Sequence, residues 1–208
     1  MVYDHGQSDV PRGGPVALAA PSGTFETCYA LVVGERGDRK RADARATGLD
    51  APMESKRNRL AWVIATWFGC GLVPKGPGTA GALGAIPLYA LVVHGGRVGV
   101  GLTASIVALA GVWAGGVVAR ESNSLDPQFI VVDEVAGMLV TMIPMPNLSW
   151  RAVGLGFVLF RFFDIVKPWP VRWFEKFPGG WGIVLDDVVA GALGAIVLAG
   201  ARALGALP

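Results

Sequence analysis

Twenty-two consecutive residues, Val98–Ala119, carry no charged side chain. At about 1.5 Å per residue, a helix of this length crosses a hydrocarbon core of about 30 Å. A water-soluble fold would have to bury such a helix on every side, whereas a bilayer accepts it directly. Charge along the whole chain follows the same division. Residues 1–59 hold nine Lys/Arg and eight Asp/Glu, and residues 60–208 hold the same numbers spread over a far longer stretch. The first part has the composition of a solvated tail, the second that of a membrane domain. The formal net charge of +2 is too balanced to argue for a nucleic-acid partner.

Residues 1–55 mix Gly, Pro, Asp and Arg without sustained periodicity and are expected to be a disordered tail. The apolar run near Thr27–Val33 is too short to span a bilayer, and no secretory signal pattern precedes it. Met53 opens a basic stretch directly before the apolar region. It would make a natural start, with residues 1–52 an extension of the gene model. The domain proper is then expected over residues 56–208. Cys28 and Cys70 form no Cys-x-x-Cys pair and have no Cys/His cluster beside them, which argues against a disulfide framework or a zinc site.

Four further apolar segments accompany Val98–Ala119. They are Ala80–Val93, broken by Pro87; Phe129–Met145, with Asp133 and Glu134 in its first turns; Trp150–Val166, with Arg161 and Asp164 in its last; and Val188–Leu207, interrupted by Arg202. Leu60–Val73 reads as interfacial or re-entrant. Pro144, Pro146 and Asn147 mark a tight connection. The fold expected is all-α, a multi-pass membrane protein with about four or five membrane-embedded helices. Gly111 and Gly115, at GxxxG spacing, would let another helix approach closely, within the chain or in a homo-oligomer.

Placing Lys56, Arg57 and Arg59 in the cytoplasm and letting the five segments cross in alternation puts Lys75, Arg120, Lys167, Arg172 and Lys176 on the same side. Only Arg97, Arg151 and Arg202 fall outside. This arrangement has a consequence for the remaining polar residues. Thr79, Asp133, Glu134, Arg161, Asp164, Lys167, Asp186 and Asp187 all fall at one depth, on the cytoplasmic side. Ionisable groups in membrane segments are costly and point to function.

Asp133, Glu134, Asp164, Asp186 and Asp187 near one level cannot all be charged and unpaired. Arg161 and Lys167 offset two charges, and a divalent cation would offset two more. Oxygen-only ligands favour Mg²⁺ or Mn²⁺ over zinc. Arg161 suits a phosphate as a planar fork and Lys167 as a point charge. Lys75-Gly76-Pro77-Gly78-Thr79 is a turn running into a helix, where backbone N–H groups can meet an anion. Together they suggest metal-assisted chemistry on a phosphate ester at a membrane surface. Each piece has a plainer reading: paired acids cap helices, Arg161 and Asp164 at i,i+3 can be a simple ion pair, and Gly-Pro-Gly is often only a turn. Their concurrence at one depth favours a site.

Other phosphatase chemistries lack their residues. No Cys-x5-Arg or Asp-x-Asp pattern occurs, no Walker A motif is present, and the two histidines, His5 and His94, lie in the tail and in an outer loop. A transporter or channel would place charges near the midplane in repeated halves, and no internal repeat is found. A structural scaffold leaves the acidic cluster unexplained.

Four blocks occur in order: Pro77-Gly78-Thr79-Ala80-Gly81; Ile130-Val131-Val132-Asp133-Glu134-Val135-Ala136-Gly137; Phe160-Arg161-Phe162-Phe163-Asp164-Ile165-Val166-Lys167-Pro168-Trp169-Pro170; and Gly179-Gly180-Trp181-Gly182-Ile183-Val184-Leu185-Asp186-Asp187-Val188-Val189-Ala190-Gly191. They resemble the phosphatidylglycerophosphatase A family over about residues 62–200. The resemblance implies a multi-pass helical protein of the bacterial inner membrane. It also implies a Mg²⁺-dependent phosphatase that converts phosphatidylglycerophosphate to phosphatidylglycerol in phospholipid biosynthesis. On that reading Asp133, Glu134, Asp186 and Asp187 hold Mg²⁺. Arg161 and Lys167 neutralise the phosphate, with Lys75, Gly78 and Thr79 contributing to its binding. Asp164 orients Arg161 or activates water. Water, a carboxylate and Thr79 are all candidates for the attacking group.

Overall fold

A computed structural model describes residues 58–124, 127–145 and 147–207. The tail 1–55, Met53, Cys28 and His5 lie outside the described residues, as do Lys56, Arg57 and Pro146. Among the described residues every regular element is helical. Seven α-helices follow in order: α1 (Arg59–Ala65), α2 (Pro77–Val92), α3 (Gly96–Glu121), α4 (Val132–Met142), α5 (Trp150–Val166), α6 (Val171–Phe174) and α7 (Gly180–Ala203). Short 3-10 turns occupy Cys70–Leu72 and Val93–Gly95.

The helix boundaries follow local chemistry. Asn58 caps α1, its side-chain oxygen accepting the Ala61 N–H at 3.2 Å. Glu121, at the end of α3, accepts from the Asn58 N–H at 3.1 Å and from Trp62 Nε1 at 2.7 Å, so α1 is clamped to α3. At seven residues α1 is about 10 Å long and too short to cross a bilayer. Pro77 opens α2 at a position where its missing N–H costs nothing. The helix runs through Pro87, which had been expected to break it.

Two boundaries differ from the sequence expectation. α4 has 11 residues, so its length is about 16 Å, where Phe129–Met145 had suggested a full crossing. Nine of the 11 are buried, because α2, α3, α5 and α7 all pack around it. α7 begins at Gly180, eight residues before the expected start, so Asp186 and Asp187 lie in its second turn and not at its beginning. The early start depends on two glycines. Gly179 adopts φ +64°, and a Cβ at Gly180 would collide with the Val112 carbonyl of α3.

Small residues set the closest approaches. Cβ atoms at Gly111 and Gly115 would meet Val132, Val184, Ile130 and Ile183, so this GxxxG pair faces helices of its own chain. Gly137 of α4 and Gly191 of α7 bring two backbones together: a Cβ on Gly191 would collide with the Gly137 carbonyl. Thr141 Oγ1 joins the same crossing, donating to the Gly137 and Gly191 carbonyls at 2.9 and 3.2 Å. Two helical stretches, Pro77–Glu121 (containing α2 and α3) and Gly180–Ala203, are long and apolar enough to cross a membrane.

Candidate active site

The Gly137–Gly191 crossing determines what happens one turn away. Asp133 precedes Gly137 by four residues, and Asp187 precedes Gly191 by four, so each carboxylate stands one helical turn above the glycine on its own helix. Backbone contact below therefore forces side-chain proximity above. Asp133, Glu134 and Asp187 each place one carboxylate oxygen within 4.8 Å of the others. Asp133 and Asp187 retain only 8% and 4% of their exposure. Asp133 Oδ1 also accepts the Glu134 N–H at 3.0 Å, so it serves its helix start as well.

Asp186 is adjacent to Asp187 but faces another direction, as successive helical residues must. Its Oδ2 accepts from Lys167 Nζ at 2.7 Å. Lys167 terminates α5 with φ 44° and makes a second pair, with Glu175 Oε1, also at 2.7 Å. Burial alone would lower the Lys167 ammonium, but its hydrogen bonds to Asp186 and Glu175 outweigh that and hold it above the ordinary lysine range. Sequence reading did not single out Glu175. It lies beyond α6, and no helical periodicity links it to Lys167.

From α5, Arg161 Nη1 pairs with Asp164 Oδ2 at 2.6 Å, the two side chains 19% and 14% exposed. Gly78, second residue of α2, leaves the space that Arg161 and Glu134 share. A Cβ there would collide with Glu134 Oε1 and sit 3.0 Å from Arg161 Nη1. All these groups line one cavity of about 960 Å³, together with Lys176. Gly78 contributes to its wall, whereas Lys75 and Thr79 are exposed and do not line it.

Six carboxylates and three cations line this cavity, a balance that is negative before any phosphate enters. Glu134 Oε2 and Asp186 Oδ1 are buried without a hydrogen-bond partner among the described residues. A buried carboxylate oxygen without a donor is costly, and a divalent cation among Asp133, Glu134 and Asp187 would satisfy Glu134 Oε2. The all-oxygen donor set of Asp133, Glu134 and Asp187 therefore fits Mg²⁺.

The family model of phosphatidylglycerophosphatase A matches residues 63–202. The chain belongs to that family. The phosphatidylglycerophosphatase A of Escherichia coli K12 is 39% identical over 137 residues, covering 65% of this chain and 80% of the relative. The protein of the same name from Haemophilus influenzae Rd is 36% identical over 139 residues, covering 65% and 85%. A putative phosphatidylinositol-3-phosphatase of Bacteroides thetaiotaomicron is 41% identical over 156 residues, covering 69% and 94%. No solved structure matches. Family membership makes the chain a phosphatase, and the matched region contains every residue of the cavity named above.

Proposed function

We propose that the chain hydrolyses the terminal phosphomonoester of phosphatidylglycerophosphate, giving phosphatidylglycerol and phosphate in bacterial phospholipid biosynthesis, and that it requires Mg²⁺. The observation that carries this reading is the trio Asp133, Glu134 and Asp187, the first and last buried and Glu134 half-buried, in one cavity with the Arg161 guanidinium. The names of the Escherichia coli and Haemophilus relatives support the substrate. Asp133, Glu134 and Asp187 would hold the metal. Asp186 sits beside them and is occupied by Lys167. Bound there, Mg²⁺ would supply Lewis-acid polarisation of a phosphoryl oxygen.

The chain's own residues do the rest. Arg161 presents a planar fork to the phosphate oxygens, and the Asp164 carboxylate keeps it at the cavity by charge through their 2.6 Å contact. Lys167 contributes a second, point-like charge, which strengthens its pull as negative charge develops on the phosphoryl oxygens. Gly78 keeps the wall low enough for the ester to reach Arg161.

The reading includes a place in the membrane, with the cavity facing the cytoplasm. α3 and α7, about 39 and 36 Å long, would cross a bilayer of about 30 Å, and α2 and α5, about 24 and 26 Å, would reach through most of it beside them, with α4 enclosed among the four. Leu91, Leu102, Ile106, Leu109, Val158 and Ile196 are exposed on these helices, an apolar surface suited to lipid. Trp169, Trp173 and Trp181 are exposed near the cavity end, as interfacial aromatics are. The test is phosphate release by purified protein in mixed micelles, from phosphatidylglycerophosphate and from phosphatidylinositol 3-phosphate. Faster release from the first is expected. Release from the inositol lipid alone would replace the substrate by that of the Bacteroides relative.

A further inference from the structure

We propose that the Glu175 carboxylate marks the phosphate subsite on Lys167: it is a resident counter-anion whose place the substrate phosphate takes. The inference rests on the phosphomonoester reading of the cavity. Lys167 Nζ contacts two carboxylates at the same distance, 2.7 Å, but they are not equivalent. Asp186 is 8% exposed and fixed in the second turn of α7. Glu175 is 44% exposed and follows the four-residue helix α6. Both line the cavity with Lys167. The other paired cation of the cavity, Arg161, contacts Asp164, which is 14% exposed. Among the carboxylates paired with these cations, Glu175 is the one most open to solvent.

Ion pairs this exposed are weak and exchange readily. A phosphomonoester carries close to two negative charges at neutral pH and offers three acceptor oxygens, against one charge and two oxygens for Glu175. The exchange therefore favours the ester. Asp186 stays behind to hold the ammonium in position. When the phosphate leaves, Glu175 returns, so the lysine is never left without a counter-charge. Glu175 acts as a positioning residue in this scheme: it sets how tightly phosphate is held and does not touch the reacting atoms.

The test is the affinity of the full chain in detergent for inorganic phosphate, measured calorimetrically in Mg²⁺ and in EDTA, for wild type, Glu175→Asp and Glu175→Gln. Removing the competing anion should tighten phosphate binding about fivefold in Glu175→Gln, with Glu175→Asp between the two, as expected for loss of an exposed pair. KM for phosphatidylglycerophosphate should fall in parallel, and inhibition by released phosphate should strengthen. A purely structural strap predicts the opposite sign: weaker phosphate binding and a lower melting temperature. Unchanged or weaker phosphate binding in both variants would overturn the proposal. Because phosphate binding is read without turnover, a wild-type protein that binds phosphate but does not hydrolyse the lipid would count against the substrate assignment and leave the Glu175 result readable.

Discussion

The two ends of the helix bundle each hold a cavity, and they differ in everything but size class. One, of about 960 Å³, is lined by Asp133, Glu134, Asp164, Asp186 and Asp187 and by Arg161 and Lys167, which pair with Asp164 and Asp186. The other, of about 640 Å³, lies among Arg97, Ile143, Pro144, Ala199 and Arg202 and has no Asp or Glu among the described residues that line it. Asp187 and Arg202 are on the same helix, 15 residues apart by number, and thus about 22 Å apart along its axis. Among the described residues neither Arg97 nor Arg202 has an ion pair, whereas Arg161 and Lys167 both do. Space alone does not make a site. At the first end buried charges are forced together by a backbone crossing; at the second, two arginines stand at helix ends where cations ordinarily meet water or headgroups.

The sharpest way to break this comparison is to remove charge from the first end. Asp187→Asn, or Asp133→Asn, should lower phosphate release about 10³-fold or more, equivalent to about 4 kcal/mol of transition-state stabilisation. The variant should still be recovered from the membrane fraction with an unchanged helical circular-dichroism spectrum. Next comes the crossing itself. Gly191→Ala places a methyl group against the Gly137 carbonyl, and the helices must separate to admit it. Activity should fall about 10²-fold through misplacement of the carboxylates, with a loss of stability of about 1–3 kcal/mol seen in thermal melts.

Smaller effects separate charge from geometry. Arg161→Lys keeps the positive charge and loses the fork, and should lower kcat/KM about tenfold. Thr79→Ala should change turnover by less than about threefold, because Thr79 does not line the cavity; a loss as large as that of Asp187→Asn would identify it as the attacking group. The double variant Arg97→Gln, Arg202→Gln should change it least, within about twofold, as expected for surface positions far from the chemistry.

Much of the site was legible in the sequence, and the reason is topological. Thr79, Asp133, Glu134, Arg161, Asp164, Lys167, Asp186 and Asp187 were expected at one depth from apolar segments crossing in alternation, and the structure gathers all of them but Thr79 around one cavity. The depth argument could not distribute partners among them. Whether Asp186 stands with Asp187 or with Lys167 depends on rotation about α7, which a shift in helix start changes by about 100° per residue. The start at Gly180 was hidden because Asp186-Asp187 interrupts the apolar run, and hydropathy alone reads such an interruption as a boundary. Glu175 was hidden for a different reason: its contact to Lys167 spans a loop and a four-residue helix, where no period applies. The tight Gly137–Gly191 contact was equally silent, since a glycine in an apolar helix signals a close approach without naming its partner.

The central claim is that buried carboxylates at one end of the bundle serve a divalent cation in phosphomonoester hydrolysis. The most direct measurement is phosphate release from phosphatidylglycerophosphate by the purified full chain in detergent micelles, first with Mg²⁺, then with EDTA, then with Mg²⁺ restored. The account predicts release that stops in EDTA, returns with the metal, and is absent throughout in Asp187→Asn. Equal release in EDTA from the same folded protein would contradict it.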